Sequence, residues 1–299
     1  MGQGLSLVRL ENNYLAVKHL YEEKGYPVIT LCNILKLNRS SYYKWLRRDN
    51  SIQEAKDKKL INLMCILHQE HNGIFGYRRM QINLKRRFNL HCNKKRIYRV
   101  MSAIGMKSVI RRKKPSYVKS TPEFTAENIL NRNFTAEHLN EKWLTDVTEF
   151  KYGDGAKLYL SAILDLKDRS IVAYAIGKNN NNKLAFDTFD EAVQKYPNAK
   201  PLFHSDRGFQ YTNKVFKTRL DVQGMTQSMS RIGRCIDNGP IEAFWGTIKS
   251  EMYYLDRFHD YDSLEAAIKR YIVFYNGNRY QEKLGGLAPL EYRKSILAA

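Results

Sequence analysis

Trp143-Leu144-Thr145-Asp146-Val147-Thr148 sets an aspartate inside a run that otherwise reads as a buried strand. Aspartate is disfavoured in strands and seldom buried, and no turn-forming neighbour accounts for this one. A second acid closes the apolar run Pro201-Leu202-Phe203-His204-Ser205-Asp206, ahead of Arg207-Gly208, where a turn is an equally good account. A third, Glu242, follows Asp237-Asn238-Gly239-Pro240. Asn238 or Gly239 can cap a helix there, Pro240 suits its first turn, and an acid at that point favours the positive end of the helix dipole. Along this helix Ile241, Phe244, Trp245, Ile248, Met252 and Leu255 share one stripe, so Glu242 flanks the buried face. Lys249 returns almost to the azimuth of Glu242, because two turns take roughly 7.2 residues.

Around these acids the chain is rich in short β-type runs, at 143–150, 157–166, 170–177, 201–205 and 225–229. Helical patterns fill 183–196 and 212–222, and an amphipathic helix covers 262–275. Three strands in succession followed by α-β-α-β-α is a three-layer α/β order, compatible with a ribonuclease-H-like mixed sheet with flanking helices.

The front half differs in kind. Residues 1–120 hold 26 basic and 7 acidic side chains, against 24 and 23 in the remainder, so nearly all of the net charge of +20 lies there. Residues 16–48 read as helix, a break at Gly25-Tyr26-Pro27, a second helix through Ile34-Leu35, a turn at Leu37-Asn38, and a third helix capped by Ser40 or Ser41 that carries Tyr43, Lys44, Arg47 and Arg48. From Asp57 a helix runs to His68, Gly73 and Gly76 break it, and Tyr77-Arg78-Arg79-Met80 leads another to Arg87. Asn93 opens a further one, Lys94-Lys95-Arg96-Ile97-Tyr98-Arg99-Val100-Met101, ending near Gly105. There Ile97, Val100, Met101 and Ile104 face a core, leaving Lys94, Lys95, Arg96 and Arg99 off the stripe for phosphate oxygens. A solvated charged face is the plainer account of such a run, but two helix-turn-helix rhythms coincide with the charge and favour DNA. Arg111-Arg112-Lys113-Lys114-Pro115 ends this region. The expected organisation is an all-α, helix-turn-helix-like region at 1–55, a second helix-turn-helix at 56–110, a basic linker at 111–135, and an α/β catalytic core with a helical extension at 136–299. Arg78, Arg79, Lys94, Lys95, Arg96, Arg99, Arg111, Arg112, Lys113 and Lys114 are the expected DNA contacts.

Several classes are disfavoured. Cys32, Cys65, Cys92 and Cys235 form no C-x-x-C pair, so reduced thiols are expected and no disulfides. His68, His71 and Cys92 lack a second cysteine to complete a zinc site. The longest apolar stretch, 158–166, is broken by Ser161 and Asp165 and is far too short to cross a bilayer.

Carboxylates from two strands and a helix suit hard divalent cations: in a pair roughly 4 Å apart, one ion activates an attacking hydroxyl and the other stabilises the leaving oxygen of an in-line phosphoryl displacement. At these residues the chain resembles the D,D(35)E transposases of the IS-three insertion-sequence family, relatives of retroviral integrases. Asp206 and Glu242 are separated by 35 residues. Trp143 to Thr148 is similar to the family's first motif, and His204-Ser205-Asp206-Arg207-Gly208-Phe209-Gln210-Tyr211 to its second. Ser228-Met229-Ser230-Arg231, Asp237-Asn238, Glu242, Phe244 and Lys249-Ser250-Glu251 are similar to its third. Phe274-Tyr275-Asn276, Arg279, Leu284-Gly285-Gly286, Pro289 and Glu291-Tyr292 resemble the C-terminal signature, and Gly76-Tyr77-Arg78-Arg79 with 94–99 resembles the internal helix-turn-helix.

The resemblance implies a ribonuclease-H-like fold and catalysis by Asp146, Asp206 and Glu242 holding two Mg²⁺ ions, with Mn²⁺ as a substitute. It implies recognition of inverted-repeat ends and target DNA, 3′-end cleavage and strand transfer, and a homo-oligomer on double-stranded DNA in the bacterial cytoplasm. Lys249 matches the family's basic residue that touches the DNA end. Gly239-Pro240 departs from the usual small residue, commonly Ala, after Asp-Asn, and is expected to alter the angle of the helix. No sustained heptad repeat is present, so the chain resembles the downstream reading frame, whose partner is an upstream-frame protein or fusion. The competing readings are a DNA-binding regulator or partner subunit and a simple ribonuclease-H-like nuclease. Asp165→Asn and Asp168→Asn, outside the matched motifs, are expected to retain most activity.

Overall fold

The computed structural model describes residues 3–47, 52–110, 126–232 and 235–298. The chain divides into two compact units, Met1–Val109 and Ile110–Ala299.

The first unit is helical: α1 (Gln3–Lys24), α2 (Val28–Ile34), α3 (Arg39–Arg47), α4 (Ile52–Glu70), α5 (Tyr77–Phe88) and α6 (Lys94–Ala103). Helix α3 is capped by Asn38, whose Oδ1 accepts from the Ser40 and Ser41 amides at 2.9 and 3.3 Å. The serines expected to cap therefore lie inside the first turn, because the asparagine before them reaches their free N–H groups. Asn93 caps α6 by accepting from the Lys95 amide at 2.9 Å. Ile97, Val100 and Met101 are buried, but Ile104 is exposed, since the helix ends at Ala103 and turns Ile104 out of the stripe. Cys32, Cys65 and Cys92 are free thiols.

The second unit is built on one five-stranded sheet in the order β3-β2-β1-β4-β5. Its strands are β1 (Lys142–Tyr152), β2 (Ala156–Asp165), β3 (Ile171–Gly177), β4 (Leu202–Ser205) and β5 (Thr226–Met229). β1, β2 and β3 pair antiparallel, while β1, β4 and β5 run parallel. Five helices belong to this unit among the described residues: α7 (Asn182–Lys195), α8 (Lys214–Val222), α9 (Gly239–Glu251), α10 (Tyr261–Gly277) and α11 (Pro289–Leu297). Strand alternation decides which helices cover which face. Leu144 and Phe150 pack with Ile241, Phe244 and Ile248 of α9 and Ile268 and Tyr275 of α10. Trp143 packs oppositely, with Phe189 of α7 and Phe216 and Leu220 of α8. Of the stretch read as a linker, 126–135 is docked on this unit: Leu130 is buried, and its amide donates to Ser228 Oγ at 3.1 Å. Residues 111–125 lie outside the described residues.

Three buried acids are locked by arginines. Arg293 of α11 donates to both Asp165, at 2.8 Å, and Asp168. These carboxylates also accept from the Asn140, Lys167 and Ser170 amides, so they fasten the β2–β3 turn to α11. Glu251, ending α9, receives both Arg279 Nε (2.9 Å) and Nη2 (2.8 Å) and the Tyr271 hydroxyl (2.9 Å). On the edge strand β3, the Asn276 side chain takes up the Ile171 N–H and C=O at 2.9 and 3.0 Å, satisfying backbone groups that no further strand covers.

Asp165 and Asp168, outside the matched motifs, are both fully buried partners of Arg293 and so hold the fold. Removing one member leaves an uncompensated buried charge, which costs about 3–5 kcal/mol. Arg293→Ala is expected to lower stability in urea unfolding by about that amount, and Asp168→Asn to destabilise in the same direction.

Candidate active site

The last parallel pair of β1 and β4 is Thr145↔Ser205. Asp146 and Asp206 each follow by one residue, so they stand side by side at the carboxyl ends of neighbouring strands, which lie roughly 4.8 Å apart. Alternation puts Asp146 on the face of Leu144, and Asp206 on the face of His204, the partner of Leu144. Both therefore point toward α9. Beneath them, on the other face, Thr145 Oγ1 donates to Ala162 O (3.0 Å) and lies 3.2 Å from the buried Tyr211 hydroxyl, which must then be the donor to it.

Each aspartate is held by donors that leave lone pairs over. Asp146 Oδ1 accepts from the Val147 amide at 2.8 Å, and Oδ2 accepts from the Trp245 indole N–H at 2.9 Å. Asp206 Oδ1 accepts from the Gly208 amide at 2.8 Å. Gly208 allows that approach because a Cβ there would stand 3.0 Å from Asp206 Oδ1 and 2.8 Å from Gln210 Oε1. Glu242, on the first turn of α9, is exposed.

Electrostatics mark these three as a group. Burial, and then the Asp206 charge, push the Asp146 carboxyl well above the usual carboxylate range. Burial raises Asp206 as well, and burial followed by Asp206 raises Glu242. No basic side chain forms an ion pair with any of them among the described residues. Nor do any three His, Cys, Asp or Glu side chains among the described residues make a ready-built ligand cage. Lys249 lies near enough to feel Asp146, with its ammonium over the Phe150 ring 5.2 Å from the centroid; burial lowers its pKa.

The loop leading to α9 is fixed by Asp237, fully buried and gripped by Arg231 (2.8 Å from both Nε and Nη2), Arg132 (2.6 Å) and Asn128 (2.9 Å). The arginines, Arg231 first, hold its carboxyl far below the usual range. Asn238 occupies the capping position but does not cap: its Nδ2 donates to Thr145 O at 3.0 Å, tying α9 to the strand end beside Asp146. Met252, just past the end of α9 at Glu251, is partly buried and still packs on this core, whereas Leu255 is exposed, so the apolar stripe stops short of Leu255. His204 is buried between Ser228 (2.9 Å) and Ser230 (3.2 Å), and burial lowers it to about 4. It is a neutral structural link. Gln210 is buried and donates to Asn180.

The basic candidates scatter over the first unit. Lys95 and Arg99 are exposed on α6 and Lys94 is half-buried, while Arg96 Nη2 is engaged by Asp57 at 2.6 Å. Arg78 is exposed and donates to Tyr77 Oη at 3.2 Å; Arg79 is half-buried against the Phe75 ring. Arg111, Arg112, Lys113 and Lys114 lie outside the described residues. Sequence reading placed Trp245 on the apolar stripe and Tyr211 and Arg231 within matched motifs but gave none of them a partner, and it did not name Arg132, since a donor's target is set by folding and leaves no local pattern.

An α/β sheet of this order, with acids converging at its centre and helix-turn-helix elements ahead of it, defines a class of proteins that act on DNA. Residues 136–235 and 242–297 match family models described as integrase core domains, and 54–114 match an HTH-like domain. The chain is 36% identical over 269 residues to the putative transposase InsK for insertion sequence element IS150 of Escherichia coli, covering 90% of this chain and 94% of that protein. It is 40% identical over 216 residues to an uncharacterized transposase-like protein of Haemophilus influenzae, covering 72% and 100%. A solved HTLV-2 integrase catalytic core domain in complex with magnesium aligns over 52% of this chain and 97% of that one, at 20% identity and a TM-score of 0.41.

The chain belongs to the IS-three family of insertion-sequence transposases, related to retroviral integrases. Its core is ribonuclease-H-like, its function is DNA transposition, and its activity is that of a polynucleotidyl transferase acting on DNA. No helix among the described residues is long and apolar enough to cross a membrane.

Trp245→Phe keeps the aromatic packing on α9 and removes the donor to Asp146. A hydrogen bond to a charged acceptor is worth about 1.5–3 kcal/mol, so strand transfer is expected to fall by about tenfold to a hundredfold. Duplex affinity should stay close to wild type, and any loss of stability should not exceed about 1.5–3 kcal/mol. Unchanged joining rates would remove Trp245 from the site.

Proposed function

We propose that Asp146, Asp206 and Glu242 hold the divalent cations with which this transposase cleaves at the ends of its element and joins the freed 3′ ends to target DNA. The observation that carries this is the β1–β4 register: it sets two half-buried carboxylates side by side, and no cation among the described residues pairs with either. Such an arrangement is costly unless positive charge is supplied, and an all-oxygen donor set suits Mg²⁺, with Mn²⁺ able to replace it. Two such ions, when bound, lower the pKa of an attacking hydroxyl and neutralise the leaving oxygen.

The chain's own part is positioning. Trp245 and the Gly208 amide orient the aspartates while leaving lone pairs over for coordination. The Asp237 clamp and the Asn238–Thr145 contact set the start of α9, and with it Glu242. Lys249, alongside the acids, supplies a cation for a phosphate of the element end. The exposed bases of α6, together with Arg78, Arg79 and the basic run 111–114, engage duplex DNA at the inverted repeats. Assembly into a homo-oligomer on DNA and pairing with an upstream-frame protein complete the reading.

Glu242→Gln, Asp146→Asn and Asp206→Asn are each expected to abolish cleavage and strand transfer while leaving fold and end-DNA affinity intact. Double variants should be scarcely worse than single ones, because the three act as a unit. Near-wild-type joining by Glu242→Gln in Mg²⁺, with the active assembly present and bound to end DNA, would refute the assignment.

Lys249→Ala is expected to weaken crosslinking to end DNA while sparing metal binding measured by calorimetry, since an ammonium donates only to anions and acceptors. Undiminished crosslinking would count against the role.

A further inference from the structure

We infer that α3 is a second DNA-reading helix, and that its face of Arg39, Ser40, Tyr43, Lys44 and Arg47 takes duplex DNA at a site separate from the HTH-like segment 54–114. This rests on DNA as the partner and assigns a ligand to a region that lies before the matched segments 54–114, 136–235 and 242–297.

The turn between α2 and α3 has the geometry that a helix-turn-helix needs. Lys36 adopts a left-handed conformation (φ 52°), the Leu37 amide closes back onto Cys32 O at 2.8 Å, and Asn38 starts the next helix within two residues. The three helices share a core of Tyr14 and Val17 from α1, Val28, Leu31 and Cys32 from α2, and Tyr42 from α3, with Trp45 packed against it. Trp45 lies 5.4 Å from Tyr14 and 6.0 Å from Tyr42 between ring centroids, so α3 is anchored by one side only.

The same design recurs fifty-five residues later in α6, inside the segment that matches the HTH-like model. Asn38 and Asn93 each accept from the amide two residues on. Tyr42 and Ile97 are the buried knobs, Tyr43 and Tyr98 the exposed aromatics, and Lys44 and Arg99 the exposed bases beside them. Arg39 and Lys94 both occupy the first helical position. The turn before α6 also uses a left-handed residue, Asn89 (φ 48°).

Charge completes the case. Arg39, Ser40, Tyr43, Lys44 and Arg47 are all exposed and together line one shallow concavity. Helix α3 contains no acid, and no carboxylate among the described residues pairs with Arg39, Lys44 or Arg47. Glu22 and Glu23 of α1 are taken up locally by Lys18 and His19. Three cations without a carboxylate partner among the described residues, with a serine and a tyrosine on the same helical face, fit phosphate oxygens and base edges of a groove, and fit a polyanion better than any apolar partner.

The test is the full chain carrying Arg39→Ala, Lys44→Ala and Arg47→Ala, titrated against a duplex of the element's terminal sequence over a range of salt. If each cation neutralises one phosphate, the slope of log affinity against log salt should fall by about 2–3. Hydroxyl-radical footprinting should lose one patch of protection and keep the patch that a Lys95→Ala/Arg99→Ala variant loses. An unchanged slope and footprint would overturn the proposal, as would both variants erasing the same patch. Lys44→Glu, a single exposed change, should weaken binding in the same direction and guards against a folding artefact in the triple variant. Glu242→Gln, which leaves these cations in place, should keep both protected patches and the full salt slope, so that loss of this contact and loss of the chemistry of Asp146, Asp206 and Glu242 are read separately.

Discussion

Parallel pairing of β1 with β4 is the constraint on which the catalytic unit depends. It brings Thr145 opposite Ser205 and so places Asp146 beside Asp206, on the face that α9 covers. Both carboxylates lose hydration there, and Asp146 also feels the charge of Asp206, so both are pushed toward protonation. A sheet selected for stability alone would carry apolar residues at these two strand ends.

The remaining buried acids show what stability alone calls for. Asp165 and Asp168 share Arg293, Asp237 is gripped by Arg231 and Arg132, and Glu251 is gripped by Arg279. Apart from the local Arg231–Asp237 pair, these contacts join segments distant in sequence: the β2–β3 turn to α11, the α9 approach to 128–132, and the end of α9 to the residues just after α10. Asp146 and Asp206 stand apart in having backbone and indole donors in place of arginines. That difference in partners, more than burial, separates acids that hold the fold from acids kept available for cations.

The helical unit divides its side chains by a simpler rule. One stripe of each short helix enters a small core, and the opposite stripe keeps its bases in water. Since α3 and α6 repeat this pattern, the described residues of the unit carry basic helical faces in duplicate.

Much of this was legible in the residues. Alternation and periodicity located all five strands and the helices between them, because burying one face of a strand or helix imposes a two- or 3.6-residue repeat that is local in sequence. Asp146 was conspicuous for breaking that repeat, and the spacing of Asp206 and Glu242 carried the family resemblance. What folding decided was partnership. That Asn38 and not Ser40 caps α3, that Asn238 bonds to Thr145 instead of capping α9, and that Trp245 reaches Asp146 all depend on which groups meet. Asp165 and Asp168 look like ordinary polar residues of a turn until Arg293, more than a hundred positions later, arrives between them. Periodicity is a property of one segment against water and is written along the chain; a hydrogen bond or ion pair belongs to two segments, and only the tertiary structure brings both into range.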